Sequence, residues 1–196
     1  LCLTALEKLV KPGTRVLDLG CGVGRNAVAC AKRLPESMVE CVDILPVAIE
    51  KLMENAEKLG VSRNIRGITA PVDSFAVEPN GYDLILAASV LEHLDSEDSA
   101  ACKMHQIAKG IRPGGAVLIV MNTGVREWDT ATGEGLEARF EVNLPSQQVR
   151  EWLKAYFRGW EILWDTLVHQ EYDVPRGERR VTISSEVVTF TARRMQ

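Results

Sequence analysis

The stretch VLDLGCGVG, residues 16–24, decides the reading of this chain. Arg15–Leu19 is aliphatic and short, as a buried strand is, and glycines follow at once at 20, 22 and 24. Small residues at helical spacing then run from 25 to 34. A strand, a glycine turn and a helix in that order let backbone lie against a ligand where a side chain would collide. The dinucleotide fingerprint GxGxxG requires glycine at 25, where Arg25 stands, so the spacing is GxGxG. Asp18 precedes the first glycine by two residues. A carboxylate there is a poor neighbour for a pyrophosphate and suits a ligand carrying a positive group.

Outward from this loop the pattern repeats. Met38–Val42 is a second strand and ends beside Asp43, a carboxylate placed to accept both hydrogen bonds of a ribose diol. Pro46 starts a helix that carries to Gly60, and Ile65–Thr69 is a third strand. Tyr82–Ala88 and Ala116–Met121 are almost wholly apolar, as strands covered on both faces are. Residues 97–110 read as the helix between them. Strands alternating with helices across short connections imply an α/β fold, doubly wound on a mostly parallel sheet of seven strands. A helix is also expected over residues 1–11, where Leu3, Leu6, Leu9 and Val10 recur at helical spacing. The final third reads differently. Residues 122–143 form a long polar connection, followed by a helix from Ser146 to Phe157 and strands at Trp160–Val168 and Val181–Ala192. The charged turn 173–179 joins those strands as an antiparallel hairpin. No repeat or linker divides the chain, so one domain is expected over 1–196, with a core at 1–121 and an acceptor-side elaboration at 122–196.

The chain has 196 residues, 23 basic and 27 acidic, for a net charge of −4. That balance disfavours an obligate nucleic-acid binder. The longest apolar stretch, Leu84–Leu91, is far short of the ~20 residues a membrane helix needs. No leader peptide opens the sequence. Cysteines at 2, 21, 30, 41 and 102 include no CxxC pair, so reduced thiols in a cytoplasmic protein are expected, with no metal site.

Taken in order, these motifs resemble those of the class I S-adenosylmethionine-dependent methyltransferases over Arg15 to Met121. VLDLGCGVG corresponds to the first motif and the acid of CVDI to the second. PVDSF and YDLILAASVLEHL resemble the third and fourth, and IRPGGAVLIV leads into the fifth strand. The resemblance implies S-adenosylmethionine as cofactor. It implies Asp18, Gly20, Cys21, Gly22, Gly24 and Asn26 around the methionine part, and Asp43 on the ribose with Ile44 beside the adenine. Asp73 and Ser74 would reach the adenine edge, and Ala88 would close the pocket. Within the superfamily the chain is most similar to the tellurite-resistance methyltransferases, on GCGVGRNA, on its length, and on FEVNLPSQQVREWLKAYFRGWEIL before a final hairpin.

The expected reaction is in-line methyl transfer to a small-molecule acceptor, a chalcogen oxyanion or a thiol, by a monomer or homodimer with no nucleic-acid or membrane partner. Catalysis then rests mainly on positioning. Acceptor-side candidates are His93, just past the fourth strand, and His169, Arg179 and Arg180 beside the charged turn. Five arginines within 175–196 suggest an anion-binding rim. Glu92 reads as a solvated or capping carboxylate, and Trp152, Trp160 and Trp164 as packing for the last helix and strand. Trp128 is read as an anchor for the polar connection or a wall of the acceptor pocket. The competing readings are a protein or nucleic-acid methyltransferase with the same cofactor, a nicotinamide-dependent oxidoreductase, and a non-catalytic scaffold.

Overall fold

The computed structural model describes residues 13–196; the helix expected over 1–11 lies outside the described residues. The order of elements is β1 (Arg15–Leu19), α1 (Arg25–Arg33), β2 (Met38–Asp43), α2 (Pro46–Lys58), β3 (Ile65–Thr69), β4 (Tyr82–Ala88) and α3 (Glu97–Gly110). There follow β5 (Ile111–Asp129), β6 (Gly135–Leu136), α4 (Ser146–Tyr156), β7 (Glu161–Arg176) and β8 (Arg179–Arg193). All strands join one sheet in the order β3-β2-β1-β4-β5-β8-β7, and the two-residue β6 pairs with β5. The first five strands in that order are parallel, and β8 and β7 run antiparallel. Mostly parallel strands closed by a C-terminal hairpin match the expected class, with β6 as an eighth strand.

Two apolar layers cover the sheet. Val16, Val39, Cys41, Leu84, Leu86 and Leu118 pack with α1 and α2 residues on one face. Leu17, Ile85, Val117 and Ile119 pack with α3 and α4 residues on the other. Both faces of β1 and β4 are therefore buried, which is why they read as continuous apolar runs. Local signals set the helix ends. Ser96 caps α3 by accepting from the Ser99 amide at 3.1 Å, and Gly60, at φ 71°, follows α2.

The main departure is at residues 122–143. The expected polar connection is strand as far as Asp129, and β5 outruns β4 by nine residues, since Ala88 pairs with Val120. At about 3.3 Å per residue the overhang is roughly 30 Å long. Its polar residues mimic a loop in sequence, yet they are buried and paired across the strands. Asn122 bonds Glu92 and Gln170, Thr123 donates to the Glu186 carbonyl at 2.7 Å, and Glu127 pairs with Arg176. The hairpin is also longer than expected. Residues 173–176, read as turn, continue β7, and only Gly177 and Glu178 connect the strands. Trp128 consequently sits in β5, opposite Gly135 and Thr182. Trp152 and Trp160 pack against the core, but Trp164 is exposed on the edge strand.

Past Ala88 the inner edge of β5 has no β4 beside it. Residues 134–145 occupy that edge. The Asn143 side chain bonds both the amide and the carbonyl of Val125, at 2.7 and 2.9 Å, and the Gly124 amide donates to the Leu144 carbonyl at 2.8 Å. This brings Phe140 and Glu141 back over the carboxyl end of the sheet.

Candidate active site

In an open parallel sheet, ligands bind beyond the carboxyl ends of the strands where strand order reverses. Here that point lies between β1 and β4. A cavity of about 180 Å³ opens there, lined by Gly20, Asp43, Ile44, Asp73, Ser89 and His93 among others. Asp43 ends β2 and ties the glycine loop down. Its Oδ2 accepts from the Gly22 amide at 2.8 Å and its Oδ1 from the Leu45 amide at 3.0 Å.

The loop glycines have separable reasons. At Gly20, φ is 65° and an added Cβ would stand 2.5 Å from Val90 Cγ2, so packing alone requires glycine. At Gly22, φ is 51° and nothing lies within 4 Å of the added Cβ, so that position faces open space beside the cavity. We predict that Gly22→Ala lowers cofactor affinity about tenfold in titration calorimetry. Its cost to folding should stay near the ~1–2 kcal/mol of left-handed backbone strain. Normal binding by that variant would mean the ligand does not approach the loop.

Asp18 lies beneath the loop, 1% exposed and off the cavity lining. Neither of its carboxylate oxygens has a hydrogen-bond partner. Burial pushes its pKa up to about 7; the nearby Ala27 amide offsets this in part, and the Asp43 carboxylate adds to it. Because the folded pKa exceeds the unfolded one, the folded state holds an extra proton between about pH 3.8 and 7. This group's contribution to stability therefore falls as pH rises through that window. Asp18→Asn should flatten that part of a melting-temperature profile of the cofactor-free protein. An unchanged slope would show that Asp18 stays ionised.

The remaining expected residues divide. Ile44 is exposed on the lining, and Asp73 lines the cavity with a buried Oδ1 that has no partner. The Asp73 loop is held by Lys103, buried on α3, whose ammonium donates to the Phe75 carbonyl at 2.6 Å; burial lowers the Lys103 pKa. Ser74 is exposed and bonds the Pro71 carbonyl. Cys21 is buried under the loop, Gly24 packs on Leu52, Asn26 is half-buried on α1, and Ala88 gives its place on the lining to Ser89. Ser89 is held at φ 53°, an uncommon conformation for a residue with a side chain.

On the acceptor side the structure gathers His93 but not the hairpin residues. His169 is exposed mid-strand opposite Glu186, and Arg179 and Arg180 are exposed at the far end of the hairpin. The five arginines form no common rim. Arg176 pairs with Glu127 and Arg193 with Glu161, while Arg194 bonds Asn80 and the Ile111 carbonyl at the amino end of the parallel strands, away from the cavity. Glu92 is fully buried rather than solvated. Its Oε1 accepts from the Asn122 amide and side chain at 2.9 and 2.7 Å, and burial raises its pKa. The residues missed in the sequence are Phe140 and Glu141. Phe140 stacks on the His93 ring at 4.8 Å, and Glu141 Oε2 lies 3.5 Å from His93 Nδ1. Nothing in the local pattern separates them from a surface loop. Among the described residues no cluster could hold a metal ion, and no helix is long and apolar enough to cross a membrane.

Residues 16–115 match the methyltransferase-domain family. The chain belongs to that family. A ribosomal protein L11 methyltransferase from Symbiobacterium thermophilum is 38% identical over 121 residues, covering 60% of this chain and 35% of that protein. A second, from Ralstonia nicotianae, is 36% identical over 120 residues, covering 61% and 36%. The chain thus spans about a third of the length of these curated relatives. In fold it is similar to TehB from Haemophilus influenzae, with a TM-score of 0.73 at 24% identity, covering 98% of this chain and 60% of TehB. It is also similar to an S-adenosylmethionine-dependent methyltransferase from Methanosarcina mazei, with a TM-score of 0.68 at 15% identity over 97% of both chains. The chain has the class I methyltransferase fold, and its family and structural neighbours imply S-adenosylmethionine as cofactor. The site suits that molecule chemically: it offers an open glycine at 22, a ribose-competent carboxylate at Asp43 and an unpaired buried acceptor at Asp73.

Proposed function

We propose that this methyltransferase acts on a small-molecule acceptor seated between the cofactor cavity and the His93–Phe140 pair. The observation that carries this reading is the return of residues 134–145 along β5, which stacks Phe140 on His93, a residue of the cavity lining. An aromatic ring over that side of the lining favours a small acceptor over a protein loop. When bound, S-adenosylmethionine supplies an electrophilic methyl group. The chain's own work is to hold the cofactor and to align the acceptor while excluding water. In this reading Asp43 takes the ribose hydroxyls and Asp73 the adenine edge, with Ile44 against the ring. Gly20 and Gly22 give passage to the methionine part.

Thiol, hydroxyl and amine acceptors fit better than a chalcogen oxyanion, because the carboxylates Asp43 and Asp73 line the cavity and the hairpin arginines lie elsewhere. The test is methyl transfer from labelled S-adenosylmethionine to a panel of thiols, phenols, amines, selenite, tellurite and purified ribosomal protein L11. Label recovered in a small thiol, phenol or amine supports the reading. Label recovered only in L11 overturns it in favour of a protein acceptor, the substrate named in the relatives.

A further inference from the structure

His93 is gripped from two sides by one segment. Phe140 stacks on the ring at an interplanar angle of 29°, and the neighbouring Glu141 places a carboxylate oxygen 3.5 Å from Nδ1. The segment itself is fixed on both sides of this contact. The Val142 amide donates to the Glu92 carbonyl at 3.0 Å, one residue before His93, and the Asn143 side chain closes on Val125. His93 also lines the cavity, so with Nδ1 turned to Glu141 the other nitrogen, Nε2, is left for the cavity. A carboxylate at one imidazole nitrogen places the neutral ring's proton there and leaves the other nitrogen as acceptor.

We propose that Glu141 and Phe140 orient His93 as the general base of the transfer, and that the acceptor is therefore a protic nucleophile, an O–H, S–H or N–H compound. This rests on the small-acceptor reading above. As the acceptor's heteroatom bonds the methyl carbon, the carbon–sulfur bond of the sulfonium breaks and its electron pair goes to sulfur. The acceptor's proton passes to His93 Nε2 and then to water. His93 is the catalytic residue, and Glu141 and Phe140 are positioning residues. Both His93 and Glu141 are about half exposed, so the pair adds little stability and its effect lies in ring orientation.

The charged groups around the imidazole are mainly acidic, although α3 also carries Lys103, which holds the Asp73 loop. Glu92 adjoins the imidazole on its own turn, and Glu141 faces it from the returning segment. Asp43 and Asp73 lie on the walls of the same cavity, and Glu97 and Asp98 open α3, which packs on the turn. Their charge disfavours an anionic acceptor beside the ring.

The chain has three histidines, so nitrogen spectra of histidine-labelled protein can be assigned with His93→Gln. The expected result for neutral His93 is a proton on Nδ1 and a bare Nε2. Glu141→Ala should abolish that preference. With thiophenol, phenol and benzylamine as probes, His93→Gln should cut kcat at least about tenfold. Its S-adenosylmethionine affinity should be unchanged. Glu141→Ala should cut kcat less. A proton on Nε2 in the wild type, or an Nδ1 preference unmoved by Glu141→Ala, overturns the pairing. Equal transfer by His93→Gln, or transfer to selenite or tellurite alone, overturns the base and the acceptor class. The expected tautomer together with no transfer to any small probe would leave the pairing standing and refute the small-acceptor reading.

Discussion

Arg176→Ala should destabilise the protein by about 3–5 kcal/mol in urea denaturation, the scale for stranding one partner of a buried ion pair. Glu127 lies on the overhanging half of β5 with a side chain wholly out of solvent, and its carboxylate is gripped by both terminal nitrogens of Arg176. The Arg139 amide adds a third bond at 3.1 Å. Without Arg176 the carboxylate must protonate or draw water into the small cluster of Val125, Val181 and Ile183 beside it. Arg179 and Arg180, three and four positions on in the same basic run, are exposed beyond the turn, and their alanine variants should stay within about 0.5 kcal/mol of wild type. Equal effects at all three positions would refute this division. Losing Arg176 should also loosen residues 134–145 and so lower turnover more than cofactor affinity, since Arg139 and Phe140 stand in the same segment.

That division shows where sequence stops being informative. The parallel core was legible because burial on both faces leaves unbroken apolar runs, as in Tyr82–Ala88, and because glycine turns punctuate them. The placement of Gly20, Gly22 and Asp43 at the carboxyl end of the sheet was legible for a related reason: they stand in short segments whose order fixes where they fall. The β5 overhang was not. Asn122, Thr123 and Glu127 look like solvated loop residues until Glu92, the Glu186 carbonyl and Arg176 are brought beside them from 30 to 63 positions away. Glu92 misled for the same reason, since a carboxylate buried against Asn122 has no local signature. His93 could be picked out from its place after β4, whereas Phe140 and Glu141 reach it only because β4 ends at Ala88 and leaves β5 an edge to cover.

Asp43→Ala should weaken S-adenosylmethionine binding by roughly 1.5–3 kcal/mol, the scale of hydrogen bonds to a charged group, or about 10- to 150-fold in Kd. An ionised carboxylate has about four acceptor sites. Two of those of Asp43 are taken by the Gly22 and Leu45 amides, which leaves two for a pair of ribose hydroxyls. The side chain shapes the loop and, on the ribose assignment, would bind the ligand at once, so the alanine variant removes both. Asp43→Asn separates the two functions. Its single carbonyl oxygen can keep the Gly22 bond, but the charge and half of the acceptor sites are lost, so its affinity should fall between wild type and alanine. Calorimetric titration of both variants, with circular dichroism to confirm the fold, makes the comparison. Wild-type affinity in a folded Asp43→Ala protein would remove the ribose assignment. Wild-type affinity in Asp43→Asn with a large loss in Asp43→Ala would reduce Asp43 to a brace for the glycine loop. The intermediate value is expected because Gly22 needs only one acceptor, whereas a ribose diol needs two.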